Sequence, residues 1–239
     1  MKAVEQWNSE RLFRPLTLAR WGTFGTPVLV FPTAGGDAEE IERMHVVDAC
    51  APLIEAGRVK LYSCDSLAGR VMLTEEGSPE FRAAFLSAYQ QAVRHEVLPA
   101  IWADCGGEMP VLVAGSSIGA FNSVAMVCRY PDVFAGAIAM SGTYGVEKHY
   151  PRWTEDLFFS SPLEFVPGME GTALDVLRSR MIVLATGSGA WEDAGESWRM
   201  ADVLGAKGIP NRVDDWGPDW PHDWQTWRAM LPQYLNEMA

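Results

Sequence analysis

The chain has 239 residues, 48% of them hydrophobic and 21% charged, with a formal net charge of −12. That size and balance suit one globular domain with a sizeable core, and an acidic chain without any Lys/Arg-rich run argues against a nucleic-acid partner. No apolar run approaches the ~18 residues of a membrane span and Met1 to Asn8 form no signal-peptide core, so a cytoplasmic protein without a membrane partner is expected.

Strand-like and helix-like runs alternate along the chain, which predicts an α/β fold with a mostly parallel central sheet and helices on both faces. Residues from Val4 to Gly22 read as an opening antiparallel meander. Val28–Phe31 is a buried strand, followed by the turn Pro32-Thr-Ala-Gly-Gly36. Asp37 reads as the N-cap of a helix running to Gly57. Val59–Cys64 is the next strand, and Pro79–Asp104 a long amphipathic helix. A β-branched run then ends at Gly115-Ser-Ser117-Ile-Gly119 and passes into a small-residue helix. Phe134–Met140 and Met181–Ala185 are further strands. Between them, residues 145–179 are rich in aromatics and prolines and read as an irregular cap on a single domain spanning 1–239. A helix ending at Lys207-Gly208, the strand Asn211–Asp215 and a last helix from near Pro221-His222 to Asn236 complete the series.

Gly115-Ser-Ser117-Ile-Gly119 has the Gly-x-Ser-x-Gly form in a strand–turn–helix setting, which is what a nucleophile elbow requires. A serine at so sharp a turn exposes its hydroxyl, and the flanking glycines let strand and helix approach. Ser116, one position off the tip, fits less well. A serine hydroxyl needs a base within reach, and the base an orienting acid. Of four histidines, His45 and His95 read as mid-helix packing or surface residues and His149 as a surface residue of the cap. His222 follows the last strand, where the chain order serine, acid, histidine puts the base. Between the two lie Glu192 and Asp193. One can orient His222 while the other caps the following helix. Aspartate is the better N-cap, which favours Glu192 and keeps Asp193 as the alternative acid. Asp214, Asp215, Asp219 and Glu196 read as solvated or capping groups. Backbone N–H groups of Ile118 and Ala34 are the candidate oxyanion donors. Most of the ten tryptophans read as core, while Trp191 and Trp220 flank the candidate acid and base and are candidate walls of an apolar acyl pocket.

The four cysteines, Cys50, Cys64, Cys105 and Cys128, lack metal-ligand spacing and read as buried free thiols. Neither His-x-x-x-His nor a helix-opening Gly-x-Gly-x-x-Gly occurs, so no metal or other cofactor is expected.

Four segments together resemble the Putative esterase group of α/β hydrolases, relatives of S-formylglutathione hydrolase-like esterases and mycolyltransferases. They are Pro27–Gly36, Gly115–Phe121 continuing to Arg129–Phe134, Phe159–Phe165, and Gly189–Asp193 with His222–Arg228. The resemblance implies an α/β-hydrolase fold with Ser117 and His222 as catalytic pair. In the mycolyltransferase branch a glutamate after Gly-x-Gly is the acid, which maps to Glu192 after Gly187-Ser-Gly189. Close relatives carry a serine–aromatic pair where this chain has Ala68-Gly-Arg-Val71, so the substrate need not be theirs. The expected activity is that of a carboxylesterase-type serine hydrolase acting on a small-molecule carboxylic ester or thioester through an acyl-enzyme. An acyltransferase on the same triad and a non-catalytic binding protein are the alternatives, and a homo-oligomer is compatible with the sequence.

Overall fold

The structure is a computed structural model that describes residues 1–146, 150 and 153–239. Strands β1 (Lys2–Ser9), β2 (Arg14–Trp21), β3 (Thr26–Phe31), β4 (Val59–Cys64), β5 (Val111–Ser116), β6 (Phe134–Met140), β7 (Met181–Thr186) and β8 (Asn211–Asp215) form one sheet. Its order is β1-β2-β4-β3-β5-β6-β7-β8. β1 and β2 form a hairpin that joins β4 antiparallel, and all other pairs are parallel.

Side-chain alternation divides the core. On β3, β4 and β5, Leu29, Phe31, Tyr62, Cys64 and Val113 face one layer, while Val28, Val30, Leu61, Leu112 and Ala114 face the other. Such period-two sorting on strands apolar throughout is what a sheet covered on both faces demands. The first layer holds helices α4 (Leu67–Leu73), α5 (Pro79–Ala92), α6 (Leu98–Cys105) and α7 (Ile118–Arg129). The second holds the short helices α1 (Glu40–Arg43), α2 (Val46–Ala49) and α3 (Ala51–Glu55), and the C-terminal α12 (Trp224–Met238). From Ile118 to Cys128 every residue of α7 is buried, the mark of a helix covered on all sides.

Three sequence expectations are corrected. The helix expected over 37–57 is broken into α1, α2 and α3. His45 is not mid-helix; it takes a left-handed φ of 59° at the N-cap of α2. Pro52 removes a donor at the start of α3, and Asp37 closes a local turn on the Glu39 N–H, at 2.9 Å. The long helix is continuous but widens to a π turn over Val93–Val97, just before Pro99, whose missing N–H cannot serve the carbonyl of residue 95. The stretch 145–179, expected to be irregular, is largely helical where described: α8 (Glu155–Ser160), α9 (Pro162–Phe165), a 3₁₀ turn (Val166–Gly168) and α10 (Gly171–Leu177). These helices pack on α5, on α7 and on α11 (Ala194–Ala206), and bury Leu157, Leu163, Phe165 and Leu177 in the first layer. His149 lies outside the described residues. Three cysteines are buried, whereas Cys105 is half-buried, 3.2 Å from the Tyr62 hydroxyl.

Candidate active site

The chain runs from β3 to β4 on one side of β3 and later returns to β5 on the other. The carboxyl ends of β3 and β5 therefore form a topological switch point, where open α/β sheets place ligands. Both predicted glycine-rich turns are there.

Ser117 stands between β5 and α7 with φ 57° and ψ −121°. An L residue in that region is strained and is held only by its surroundings. The flanking glycines make the conformation reachable. A Cβ on Gly115 would overlap the backbone of Gly119, and one on Gly119 would overlap the Phe31 carbonyl of β3. Ser117 is partly exposed. Ser116 is 6% exposed and faces the opposite side, against a cavity bordered by Trp224 and Trp227. Ile118 opens α7, so its N–H has no acceptor inside the helix. On the β3 side, Ala34 sits in a turn closed by the Gly36 N–H donating to the Thr33 carbonyl (3.0 Å). Glu40 fixes that turn by accepting from both the Thr33 N–H and its hydroxyl, each at 2.8 Å. From below, α4 packs so closely that a Cβ on Gly69 would lie 2.6 Å from the Ala34 carbonyl oxygen.

Glu192 and His222 come from the loops after β7 and β8. The Glu192 side chain is 1% exposed, and its Oε2 lies 3.6 Å from His222 Nδ1. Its other oxygen accepts the Ser141 hydroxyl proton at 2.5 Å. Ser141 in turn accepts from Trp227 Nε1 (2.9 Å), and the Trp227 ring stands edge-on to the His222 imidazole at 5.1 Å. A buried carboxylate needs such partners to offset its lost hydration. Backbone contacts lock the two loops together. The His222 N–H donates to the Ala190 carbonyl (2.9 Å) and the Gly189 N–H to that of Trp220 (3.2 Å). Gly187 and Gly189 are the only kind of residue that fits: a Cβ on Gly187 would overlap the Trp220 carbonyl oxygen, and one on Gly189 would lie 2.7 Å from that of Pro218. Asp193 points elsewhere and caps α11 by accepting from the Gly195 N–H at 3.0 Å.

The profile of the family described as Putative esterase matches residues 82–238. The chain belongs to that family. Among solved structures it is similar to a ferulic acid esterase, with a TM-score of 0.76 and 17% identity over 100% of this chain and 97% of the other. An S-formylglutathione hydrolase from Agrobacterium tumefaciens aligns with TM-score 0.75 and 12% identity over 100% and 94% of the two chains. The enterobactin esterase FES from Shigella flexneri aligns with TM-score 0.72 and 18% identity over 100% of this chain and 59% of its own. No curated protein sequence matches significantly. The fold is that of the α/β hydrolases, and family membership makes the protein a carboxylesterase-type hydrolase.

Around this candidate site the remaining candidates are scattered. Trp191 is 92% exposed, with φ 66°, and stands in solvent next to Glu192 rather than packed as a wall. Trp220 packs edge-on to Trp216, ring centroids 4.8 Å apart. Glu196 is not solvated: it accepts from the N–H groups of Tyr144 (2.5 Å) and Gly145 (2.6 Å) and so fixes the loop after β6. Asp214 pairs with Arg212 at 2.9 Å and Asp215 accepts from the Gly217 N–H at 2.8 Å. Sequence reasoning missed Ser141 and Trp227. Ser141 follows the end of β6, and a small polar residue at the carboxyl end of a strand neighbouring β5 was the available signal. No helix among the described residues is long and apolar enough to cross a membrane.

Proposed function

We propose that the esterase works through Ser117, His222 and Glu192 by way of an acyl-enzyme. The observation that carries this reading is the strained Ser117, fixed at the switch point on the same sheet edge as the Glu192–His222 pair. Nδ1 of His222 faces Glu192, which leaves Nε2 on the far side of the ring for the serine proton. Ser117 Oγ attacks the ester carbonyl as His222 takes its proton. The negative charge that develops on the carbonyl oxygen meets the N–H groups of Ile118 and Ala34. His222 then gives its proton to the departing alcohol, or thiol in a thioester. Water enters, loses a proton to His222 and attacks the acyl carbon, and Ser117 recovers its proton as the acid departs. Glu192 holds the imidazole in the required tautomer and offsets its positive charge. The 3.6 Å separation of Glu192 and His222 is ion-pair range, and such contacts tighten once substrate is bound. The Asp193 side chain is engaged at the α11 cap, which supports Glu192 as the acid.

The neighbours include hydrolases of formylglutathione and enterobactin and a ferulic acid esterase, so short and aromatic acyl esters and a thioester form the first substrate panel. Steady-state kinetics on p-nitrophenyl acetate, butanoate and octanoate, with wild type, Ser117→Ala and His222→Asn, test the reading. Both variants are expected to lose at least a thousandfold in kcat with unchanged circular dichroism. A Ser117→Ala variant that retains wild-type turnover contradicts it.

A further inference from the structure

The candidate oxyanion donor Ala34 stands in a turn that its own composition leaves loose. Gly35 and Gly36 follow it, and glycine has the widest backbone freedom of any residue. Oxyanion donors act well when they are already in place at the moment of reaction, so such a turn has to be held from outside. Glu40 holds its Thr33 end. The far end is held by α4, where the Gly36 carbonyl accepts from the Ser66 N–H at 3.2 Å and from Arg70 Nη2 at 3.0 Å.

Arg70 departs from the rest of α4. Leu67, Ala68, Gly69, Val71 and Met72 are buried, whereas the Arg70 side chain is 40% exposed and reaches across to Gly36. The same nitrogen lies 3.4 Å from Asp65 Oδ1. Asp65 is a buried carboxylate anchored on its own account, accepting from the Thr17 N–H at 2.9 Å and the Ala38 N–H at 3.2 Å. A hydrogen bond from a charged donor is roughly twice as strong as a neutral one, so Arg70 is the stronger of the two donors on Gly36. From Gly36 to the oxyanion donor is a short step. The Gly36 N–H donates to the Thr33 carbonyl at 3.0 Å. That carbonyl and the Ala34 N–H belong to one planar trans peptide and point in opposite directions. Moving Gly36 therefore swings the Ala34 N–H.

We propose that Arg70 is a positioning residue for the oxyanion turn: paired with Asp65, it fixes the Gly36 carbonyl and through it the direction of the Ala34 N–H. The inference rests on Ser117 and the two N–H groups acting as described above. Arg70 works through the turn and not by touching substrate. Its effect belongs to the transition state, where the carbonyl oxygen gains charge. Losing it lowers kcat and leaves KM, whereas losing uniform substrate binding raises KM and leaves kcat. Deleting an oxyanion donor outright costs about 10²–10³ in kcat, and displacing one costs less.

The test compares turnover of p-nitrophenyl acetate and inhibition by trifluoroacetone in wild type, Arg70→Met and Ser117→Ala. The Ser117 oxygen adds to the ketone carbon, and the resulting alkoxide takes the place of the oxyanion, which makes the ketone a transition-state analogue. Methionine keeps the apolar stem of arginine without its donors. Arg70→Met is expected to lower kcat at least tenfold, to leave KM within twofold and to weaken inhibition by a factor similar to that in kcat. A kcat within threefold of wild type overturns the proposal, even with a lowered thermal midpoint, which marks a purely structural role. A lower kcat with inhibition unchanged also overturns it, as does a rise in KM alone. Should Arg70→Met fail to fold, Arg70→Ala is assayed in millimolar guanidinium chloride. Recovery of kcat at least fivefold beyond that in equal sodium chloride supports the proposal, and no recovery overturns it. Ser117-dependent turnover that is indifferent to Arg70 removes this inference alone. Turnover that survives Ser117→Ala removes the serine reading beneath it.

Discussion

The Glu192 carboxylate is the most constrained charge at the site, with Ser141 on one oxygen and His222 beside the other. The proposed mechanism makes its charge matter more than its shape. Glu192→Gln should therefore lower kcat by about 10,000-fold, as neutralising the acid of a comparable triad does, with little change in KM. Ser141→Ala removes a hydrogen bond to a charged group, an interaction worth about 1.5–3 kcal/mol. It should cost ten- to a hundredfold in kcat and leave KM within twofold. Asp193→Ala is the contrast. It removes an N-cap worth about 0.5–2 kcal/mol, and should lower the urea midpoint while activity persists. The separation of Glu192 from Asp193 was legible because capping preference is a local property of α11. Ser141 and Trp227 were not legible, because their meaning comes from partners 51 and 86 positions away that only the folded sheet and helices bring to them.

Elements meet at this site through backbone, and glycine marks each meeting. Gly187 lies against the Trp220 carbonyl, so Gly187→Ala should push the His222 loop away from the Glu192 loop. The expected result is a loss of at least a hundredfold in kcat/KM with far-UV circular dichroism unchanged, since β7 and α12 stay paired elsewhere. Long-range ties also explain where helix prediction failed. Glu96 sits in the π turn and accepts from Trp7 Nε1, the Ser9 hydroxyl and the Arg11 N–H, pinning the opening hairpin to the long helix. The sequence carried the apolar period of that helix and the Pro99 that disturbs it. It carried no comparable sign of the break at His45, whose left-handed backbone depends on packing between α1 and α2.

At the scale of the molecule, alternation along the strands and the order of turns were enough to foresee a mostly parallel sheet with both faces covered. The irregular reading of 145–179 failed because prolines there begin short helices, at Pro162 for example, instead of interrupting longer ones. The acidic chain also has a predictable pH response. Burial pushes the Glu96 carboxyl up, but hydrogen bonds from Trp7, Ser9 and Arg11 outweigh it and hold it below its ordinary value of 4.5. Asp37 is likewise raised by burial yet held below 3.8 overall by Arg43 and the Glu39 N–H. Depressed carboxyls contribute stability above their unfolded values and lose it as pH falls through the folded ones. The urea midpoint should therefore drop from pH 6 to pH 3, and Glu96→Gln should lower it at pH 6 while reducing that drop.

The central claim is that Ser117 is the nucleophile at the switch point, and covalent labelling tests it most directly. After reaction with a fluorophosphonate probe, intact mass and peptide mapping should show one adduct, on Ser117, abolished in Ser117→Ala and strongly slowed in His222→Asn. Equal labelling of wild type and Ser117→Ala, or an adduct mapped to another residue, would contradict the account.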